Sequence, residues 1–195
     1  EDLFALHTFG FRGEALASIA AVAQVEMLTR REEDEVGVRI VIEGSEVKTQ
    51  EVAAVPKGTT ITVKNLFFNV PARRSFLKSD MVETNHIIEE FIRVALANPQ
   101  IGFRMINNGN EVFHVLPGTL KQRIVGLFGE RYNEQLLQVN EATSIANIFG
   151  FAGKPEFAKR TRGEQYFFVN QRFIKSSYLN HAVTGAYQDL MPTDN

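Results

Sequence analysis

The sequence predicts an α+β protein, in which antiparallel or mixed β-sheets are backed by a small number of helices. Three strand-like segments follow one another at residues 25–30, 36–43 and 46–54, with turn residues between them. An Asn-Gly turn signal joins two further strand-like segments in the middle of the chain. Apolar residues spaced three and four apart mark helices at residues 81–97 and 177–190. Strands joined by hairpin turns, with helices set apart from them, are typical of this class.

The composition is that of an ordinary globular protein. The chain has 195 residues, enough for one large domain or two small ones, with 44% apolar and 23% charged residues. A net charge of −2 means that any contact with DNA must come from local basic patches. The absence of cysteine excludes disulfides and thiolate metal sites and suits a reducing compartment. No apolar run reaches the roughly 18 residues that would span a membrane, and no signal peptide opens the chain.

The first distinctive segment is a glycine-bracketed loop that runs into a predicted helix at residues 13–23. Gly10 and Gly13 enclose Phe11 and Arg12, and small and apolar residues follow at helical spacing. Backbone N–H groups at a helix N-terminus have no intrahelical partner, and glycines let an anion approach them closely. The segment is therefore a candidate phosphate site, although an ordinary turn before a helix would look the same. It matches neither the dinucleotide fingerprint nor the Gly-Lys-Ser/Thr phosphate loop.

A second set of strands and a basic element follow. The acidic residues 32–35 are interpreted as a solvated hairpin tip, and residues 59–64 form a strand rich in β-branched residues. A short helix is expected to begin near Pro71, because proline suits the first turn. Arg73, Arg74 and Lys78 crowd this small element. They form either a solvated helix face or contacts with the phosphates of DNA, which paired arginines can make without reading sequence.

The remaining elements suggest two domains. The helix at residues 81–97 ends at Asn98-Pro99, and strands at residues 103–106 and 111–115 flank the hairpin turn. Leu116-Pro117-Gly118 is the expected boundary between domains 1–116 and 117–195. In the second, we predict a helix at residues 119–128, strands at 136–139, 144–151 and 165–170, and the helix at 177–190, whose apolar stripe should face a core. Residues 154–163 form a basic loop.

Four segments of the chain resemble the MutL mismatch-repair family, which belongs to the GHKL ATPase superfamily. The run HTFGFRGEALASI at residues 7–19 resembles the third ATP-binding motif of that family, and Gly58-Thr59 resembles the fourth, in which the threonine hydroxyl joins the hydrogen bonds around adenine. Residues 66–78 also resemble MutL. Residues 166–172 are similar to the FVN-x-R run of its transducer-like domain, with Gln171 in place of the usual glycine.

This resemblance implies a fold and a set of site residues. Residues 1–116 would form the later part of a GHKL-type α/β sandwich, and residues 117–195 a smaller transducer-like α+β domain, truncated at its C-terminus. Glu14 is expected in the first helical turn, where its charge favours the helix dipole, rather than on a phosphate. The residues implied for nucleotide binding are Gly10, Phe11, Arg12, Gly13, Glu14, Ala15, Leu16, Gly58 and Thr59. Those implied for DNA binding are Arg73, Arg74, Arg162 and Arg172.

The resemblance also implies a function, DNA mismatch repair. In the intact protein, ATP with Mg²⁺ would order the segment around residues 6–10 and drive homodimerisation, which would gate contacts with DNA. Further partners would be a mismatch-recognition protein and downstream repair enzymes, with no membrane involved. The implied location is the cytoplasm near the nucleoid in a bacterium, or the nucleus in a eukaryote.

The chain lacks parts that the family's chemistry requires. It opens without methionine, so we expect a piece of a longer protein. The family's catalytic glutamate, its Mg²⁺-binding asparagine and its Asp-x-Gly-x-Gly segment are absent, and a γ-phosphate lysine would lie beyond residue 195. We therefore predict no catalytic residue, no metal ligand, no ATP hydrolysis and weak or no ATP binding by this chain alone. The alternatives are a nucleotide-independent DNA-binding module, or part of another GHKL ATPase such as a type II topoisomerase subunit, which fits the fold but not residues 66–78.

Overall fold

The computed structural model describes residues 13–158, 163–188 and 190. They fold as two compact units, of which the first ends at Glu83 and the second begins at Thr84. This division falls inside the long helix Asp80–Ala97. The predicted boundary at Leu116–Gly118 lies within the second unit, so the division into domains 1–116 and 117–195 stays a prediction.

The first unit is built on a four-stranded antiparallel sheet. The strand order is β3-β2-β1-β4, so the first three strands form a meander and the fourth returns beside β1. The elements are α1 (Ala15–Ala20), β1 (Gln24–Arg30), β2 (Gly37–Glu43), β3 (Glu46–Ala53), β4 (Gly58–Lys64) and α2 (Pro71–Arg74). Each of the four predicted strands is present, with bounds that differ by one residue from those expected.

One face of this sheet is apolar and lies under α1. Residues directly opposite each other in a ladder share a face, and Val25 lies opposite both Ile42 and Val63. Ala20 and Ala23 pack against Val25, with Ile19 and Ile42 at the edge of the cluster. The small alanine side chains let the helix approach the sheet closely.

The opposite face of the sheet is polar. Arg39 of β2 bridges its two neighbouring strands through ion pairs with Glu26 at 2.7 Å and Glu51 at 2.8 Å. The hydrogen bonds to Glu51 and Glu26 raise the pKa of Arg39 above its ordinary value. This face therefore needs no apolar cover, and the alternation along β1 assigns the core to the α1 side.

The second unit combines helices with three two-stranded antiparallel sheets, β5–β6, β7–β8 and β9–β10. Its elements are α3 (Asp80–Ala97), β5 (Phe103–Asn107), β6 (Asn110–Val115), α4 (Leu120–Phe128), α5 (Tyr132–Gln135), β7 (Leu136–Ala142), β8 (Asn147–Gly153), a 3₁₀ turn (Pro155–Phe157), β9 (Phe167–Val169), β10 (Arg172–Ile174) and α6 (Ser177–Tyr187). The mixture of antiparallel sheets and separate helices confirms the predicted α+β class.

The core of the second unit lies where α3, β6 and α4 meet. Ile92 and Leu96 of α3 pack with Val115 of β6 and Leu127 of α4. The ring of Phe91 stacks on that of Phe113 with 5.2 Å between centroids. The apolar stripe predicted for residues 81–97 therefore faces a core, whereas the stripe predicted for the last helix does not, because its residues Ala182, Val183 and Ala186 are exposed.

Three hairpin turns have positive φ at both central residues, among them Gly44 (φ 56°) and Ser45 (φ 71°) between β2 and β3. Asn108 (φ 49°) and Gly109 (φ 81°) form the turn between β5 and β6, which confirms the Asn-Gly prediction. Asn170 (φ 48°) and Gln171 (φ 66°) form a similar turn between β9 and β10, a hairpin that sequence analysis missed. Gln171 thus occupies a left-handed conformation that costs a residue with a Cβ about 1–2 kcal/mol and that glycine adopts freely.

Other differences from the predicted elements have local causes. The strand expected to begin at Ser144 begins at Asn147, because Thr143 and Ala146 close a tight turn: the Ala146 amide donates to Thr143 Oγ1 at 3.0 Å, and the Thr143 amide to the Ala146 carbonyl at 2.9 Å. The short helix α5 was not predicted. Among the described helices, none has the length and apolar content needed to cross a membrane.

Candidate functional site

The candidate phosphate loop enters the described part of the chain at Gly13. Gly13 has a φ of +67°, and an ideal Cβ built on it would meet no atom of the described residues within 4 Å. Glu14 is the N-cap of α1 and makes no side-chain capping hydrogen bond, so it lies one residue before the first turn in which it was predicted. Ala15 and Leu16 begin the helix and are exposed. Gly10, Phe11 and Arg12 lie outside the described residues.

The C-terminal end of α1 is held by the β2–β3 turn and by the segment that follows β4. Three consecutive carbonyls accept hydrogen bonds there: Ala20 from the Ser45 amide (3.0 Å), Ala21 from Asn69 Nδ2 (2.9 Å) and Val22 from the Phe67 amide (2.7 Å). These bonds satisfy carbonyls that a helix end otherwise leaves without partners. The MutL-like run at residues 66–78 therefore binds the C-terminal end of α1, the helix whose residues belong to the run at residues 7–19. The role of Asn69 could not be read from the local sequence pattern, because its partner Ala21 lies 48 residues earlier in the chain.

The Gly58-Thr59 pair opens strand β4. Gly58 has a φ of +110° with open space where a Cβ would stand, and Thr59 is exposed. Thr59 Oγ1 lies 2.8 Å from Thr29 Oγ1 on the neighbouring strand β1. β1 therefore lies between the two predicted nucleotide motifs: it packs against α1 on one face and pairs with β4 at its edge. Thr29 was not singled out from the sequence, since only the strand register brings it to Thr59.

The basic element is exposed. Arg73 and Arg74 form the last turn of α2, the short helix that begins at Pro71 as predicted. Both side chains and Lys78 are exposed. Within the described residues of the chain, no carboxylate forms an ion pair with the guanidinium of Arg73 or Arg74. Positively charged donors that face solvent in this way are available to phosphate oxygens.

Of the other two predicted DNA-binding residues, Arg172 lies within the described part of the chain. Arg172 opens β10, lies opposite Val169 and is half-buried. Arg162 lies outside the described residues. Arg73 and Arg74 belong to the first unit and Arg172 to the second.

No described part of the chain offers a ready metal site. Among the residues that the structure describes, no group of three or more His, Cys, Asp or Glu side chains could hold a metal ion.

Comparison with known proteins identifies relatives along nearly the whole chain. A family model described as "DNA mismatch repair protein, C-terminal domain" matches residues 124–195. The DNA mismatch repair protein MutL of Christiangramia forsetii is 61% identical over 191 residues, which are 98% of this chain and 31% of that protein. MutL of Flavobacterium psychrophilum is 59% identical over the same shares of the two chains. The chain thus spans about a third of the length of these curated relatives.

The fold has a solved counterpart as well. The Aquifex aeolicus MutL ATPase domain complexed with ADP matches with a TM-score of 0.73 and 27% identity, over 88% of this chain and 67% of that one. The likeness bears out the expected GHKL-type fold, and the topoisomerase alternative is not favoured because the relatives are MutL proteins. With these identities over nearly all of its residues, the chain belongs to the MutL family of DNA mismatch repair proteins.

Proposed function

We propose that this chain contributes part of the ATP-binding, DNA-binding and dimerising arm of a DNA mismatch repair protein. The observation that carries the proposal is Gly13, a glycine in a left-handed conformation with open space beside it, directly before a helix in a fold like that of an ADP-bound ATPase domain. Residues 1–116 would belong to the ATPase domain and residues 117–195 to the transducer-like domain. The protein would act in the cytoplasm, close to DNA.

The phosphate chemistry rests on the backbone. The amides of residues 11–16 would donate to the phosphates of ATP, and a positive helix end would favour the negative charge. Arg12 would add a positive charge, and Gly10 and Gly13 would keep the approach free of Cβ atoms. Glu14 would complement the start of α1 rather than contact a phosphate. ATP supplies the phosphoanhydride bond whose hydrolysis would drive the cycle of dimerisation and release. The residues of this chain would bind and orient the phosphates.

The base would lie near β4. Gly58 leaves the strand's approach open, and the Thr59 hydroxyl would join the hydrogen bonds around adenine. Mg²⁺ and the residue that activates water would come from parts of a longer protein, since the sequence of this chain contains neither the glutamate nor the asparagine motif. We accordingly propose that this chain alone does not turn over ATP.

Contacts with DNA would be made with the phosphate backbone. Arg73, Arg74, Arg162 and Arg172 would dock on phosphate oxygens and give affinity without reading sequence. Closing two ATP-bound arms into a homodimer would gate these contacts, as well as those with a mismatch-recognition protein and downstream repair enzymes.

The nucleotide role predicts a loss of dimerisation when Gly13 is replaced. In Christiangramia forsetii MutL carrying this chain in place of its matching segment, Gly13→Val should abolish ATP-dependent dimerisation measured by sedimentation velocity. The reason is that valine at φ +67° is strained and adds atoms to the space beside the loop. Gly109→Val is the matched control, because Gly109 also has positive φ and open surroundings but sits at the tip of the β5–β6 hairpin.

Dimerisation that survives Gly13→Val would contradict the proposal. A nucleotide-independent DNA-binding module would in addition show no rise in melting temperature when ATP is added to the grafted protein, whereas an ATP-binding arm would be stabilised.

The DNA role predicts a salt-dependent loss of affinity on charge reversal. Arg73→Glu with Arg172→Glu should weaken the binding of this chain to duplex DNA at least tenfold, and should make log K less steep in log salt by about 2, because each phosphate contact contributes about one unit. Fluorescence anisotropy at several salt concentrations measures both. Arg31→Glu with Arg104→Glu is the control with the same change in net charge, and both of its arginines are exposed and paired with carboxylates. Equal losses in the two double variants would show a general charge effect and would count against these contacts.

A further inference from the structure

The hydroxyl of Thr59 has a partner that the family motif does not include. Thr29 and Thr59 lie directly opposite each other in the β1–β4 ladder, and their Oγ1 atoms are 2.8 Å apart. Strand alternation places both side chains on the face that carries Val25, the face packed against α1. The pair is therefore on the side of the sheet where the nucleotide motifs lie, not on the polar side around Arg39.

The chemistry of two paired hydroxyls restricts what Thr59 can do. A threonine hydroxyl has one proton and two lone pairs, so one member of the pair donates and the other accepts. If Thr29 donates, the proton of Thr59 points away from it and is available to a ligand. If Thr59 donates, it offers a ligand only lone pairs. Branching at Cβ restricts both side chains to few rotamers. Thr29 thus sets both the direction and the donor or acceptor character of the Thr59 hydroxyl.

The loop that leads into Thr59 is held by the residue next to Thr29. Arg30 Nε donates to the Val55 carbonyl at 2.8 Å, and Arg30 Nη1 donates to the Asp34 carbonyl at 2.7 Å. Lys57 pairs with Glu32 at 2.7 Å. The segment from Val55 to Gly58 is therefore tied to the end of β1 and to the turn that follows it.

Strand β2 also packs closely against Thr29 and against the loop that precedes Thr59. Gly37 is buried, and an ideal Cβ there would stand 2.4 Å from Val55 Cγ2 and 2.5 Å from the Thr29 carbonyl oxygen. The backbone of β2 thus touches both the residue that pairs with Thr59 and the loop that precedes it. Three independent contacts, from Thr29, Arg30 and Gly37, converge on the position of Thr59.

From this convergence we infer that Thr29 is a positioning residue of the nucleotide site, which orients the Thr59 hydroxyl for the adenine base. The inference rests on the proposed role of Thr59. It extends the site beyond the Gly-Thr motif to the preceding strand and assigns Thr29 an effect on base recognition rather than on the phosphates.

The test compares hydroxyl-deleting and hydroxyl-retaining variants in the same grafted MutL protein. Thr29→Val keeps the shape of the side chain and removes the hydroxyl, and it should weaken ATP binding about three- to tenfold, the value of one hydrogen bond. The preference for ATP over GTP should fall with it. Thr29→Ser should stay within about twofold of the unsubstituted protein. Thr60→Val, whose side chain lies on the opposite face of β4, is the control and should leave affinity unchanged.

A double-mutant cycle separates positioning from a general effect on the fold. If Thr29 acts through Thr59, Thr29→Val should have little further effect on affinity in a Thr59→Val background. Equal losses in both backgrounds would overturn the inference, as would Thr29→Val binding ATP normally while Thr59→Val binds it weakly. If Thr59→Val itself leaves affinity unchanged, the adenine role of Thr59 fails, and the inference about Thr29 fails with it. Melting temperatures of the variants identify any loss of folding, and Thr29→Ser then still decides whether the hydroxyl matters.

Discussion

Replacing Arg123 with methionine should destabilise the second unit by about 3–5 kcal/mol, because several buried carbonyls would lose the donors that Arg123 supplies. Arg123 lies on α4 and is only 2% exposed. Its guanidinium donates to the carbonyls of Ala95 (2.8 Å), Asn98 (3.4 Å), Pro99 (3.0 Å), Ile101 (2.5 Å) and Leu116 (3.1 Å). Methionine fills much of the same volume but donates no hydrogen bond, so all five carbonyls would lose this donor. The carbonyls of Ala95, Asn98 and Pro99 would each keep one backbone amide as a partner.

The effect should depend little on pH. Burial lowers the pKa of Arg123 below its ordinary value, so the unfolded chain binds the proton more tightly than the folded one. Stability would therefore rise with pH only in the alkaline range where this arginine begins to lose its proton. From roughly pH 6 to pH 9 both states keep it protonated, and the destabilisation caused by the substitution should be constant.

Urea unfolding followed by circular dichroism measures the change for this chain, which has no tryptophan to report by fluorescence. Arg104→Met is the matched control: Arg104 is exposed and paired with Glu111 at 2.6 Å, so its loss should change stability by no more than about 0.5 kcal/mol. A change below about 1 kcal/mol for Arg123→Met would show that α4 is not anchored in this way.

Gly37→Ala should be the most damaging change to the first unit, at about 3 kcal/mol. The added Cβ would stand 2.4–2.5 Å from Val55 and from a backbone oxygen of Thr29, distances at which the strand backbone itself must move. Overpacking of a well-packed site costs about 1–3 kcal/mol, and we expect the upper end because a backbone oxygen cannot rotate away as a side chain can. The same movement should separate Thr29 from Thr59.

The matched control is Gly153→Ala, which also replaces a strand glycine. An ideal Cβ on Gly153 meets nothing within 4 Å, so alanine there should be neutral or slightly stabilising. Urea unfolding of the two variants side by side measures the difference. Equal stabilities would mean that β2 can shift away from Val55 without cost and would contradict the tight packing described for Gly37.

Several elements could be predicted because their cause is local. Strand-like segments separated by turn residues predicted β1 to β4 within one residue at each end. Asn108-Gly109 predicted its hairpin, because a type I′ turn needs positive φ at both positions. The apolar stripe at residues 81–97 predicted α3 in the same way. The hairpin at Asn170-Gln171 was missed because its second turn residue is not the glycine that usually marks such a turn.

The partners of polar side chains could not be predicted. Nothing near Arg123 in the sequence indicates that it is buried, because the carbonyls that it binds come from a helix end, a loop and a strand end that only the fold brings together. The roles of Asn69 and Thr29 were missed for the same reason: each binds a group far away along the chain.

The sequence by itself determined the family, the α+β class, the positions of the four strands of the first unit and the two candidate nucleotide motifs, because these depend on residue order and on short-range periodicity. Only the tertiary structure decided which groups meet. It placed Thr29 against Thr59 and joined Asn69 to the end of α1. It also buried Arg123, which follows the predicted boundary at residues 116 and 117, among five carbonyls that all precede that boundary. The physical reason is that a hydrogen bond needs its donor and acceptor within about 3 Å of each other. For these residues, tertiary folding brings the two atoms together, because they are far apart in the sequence.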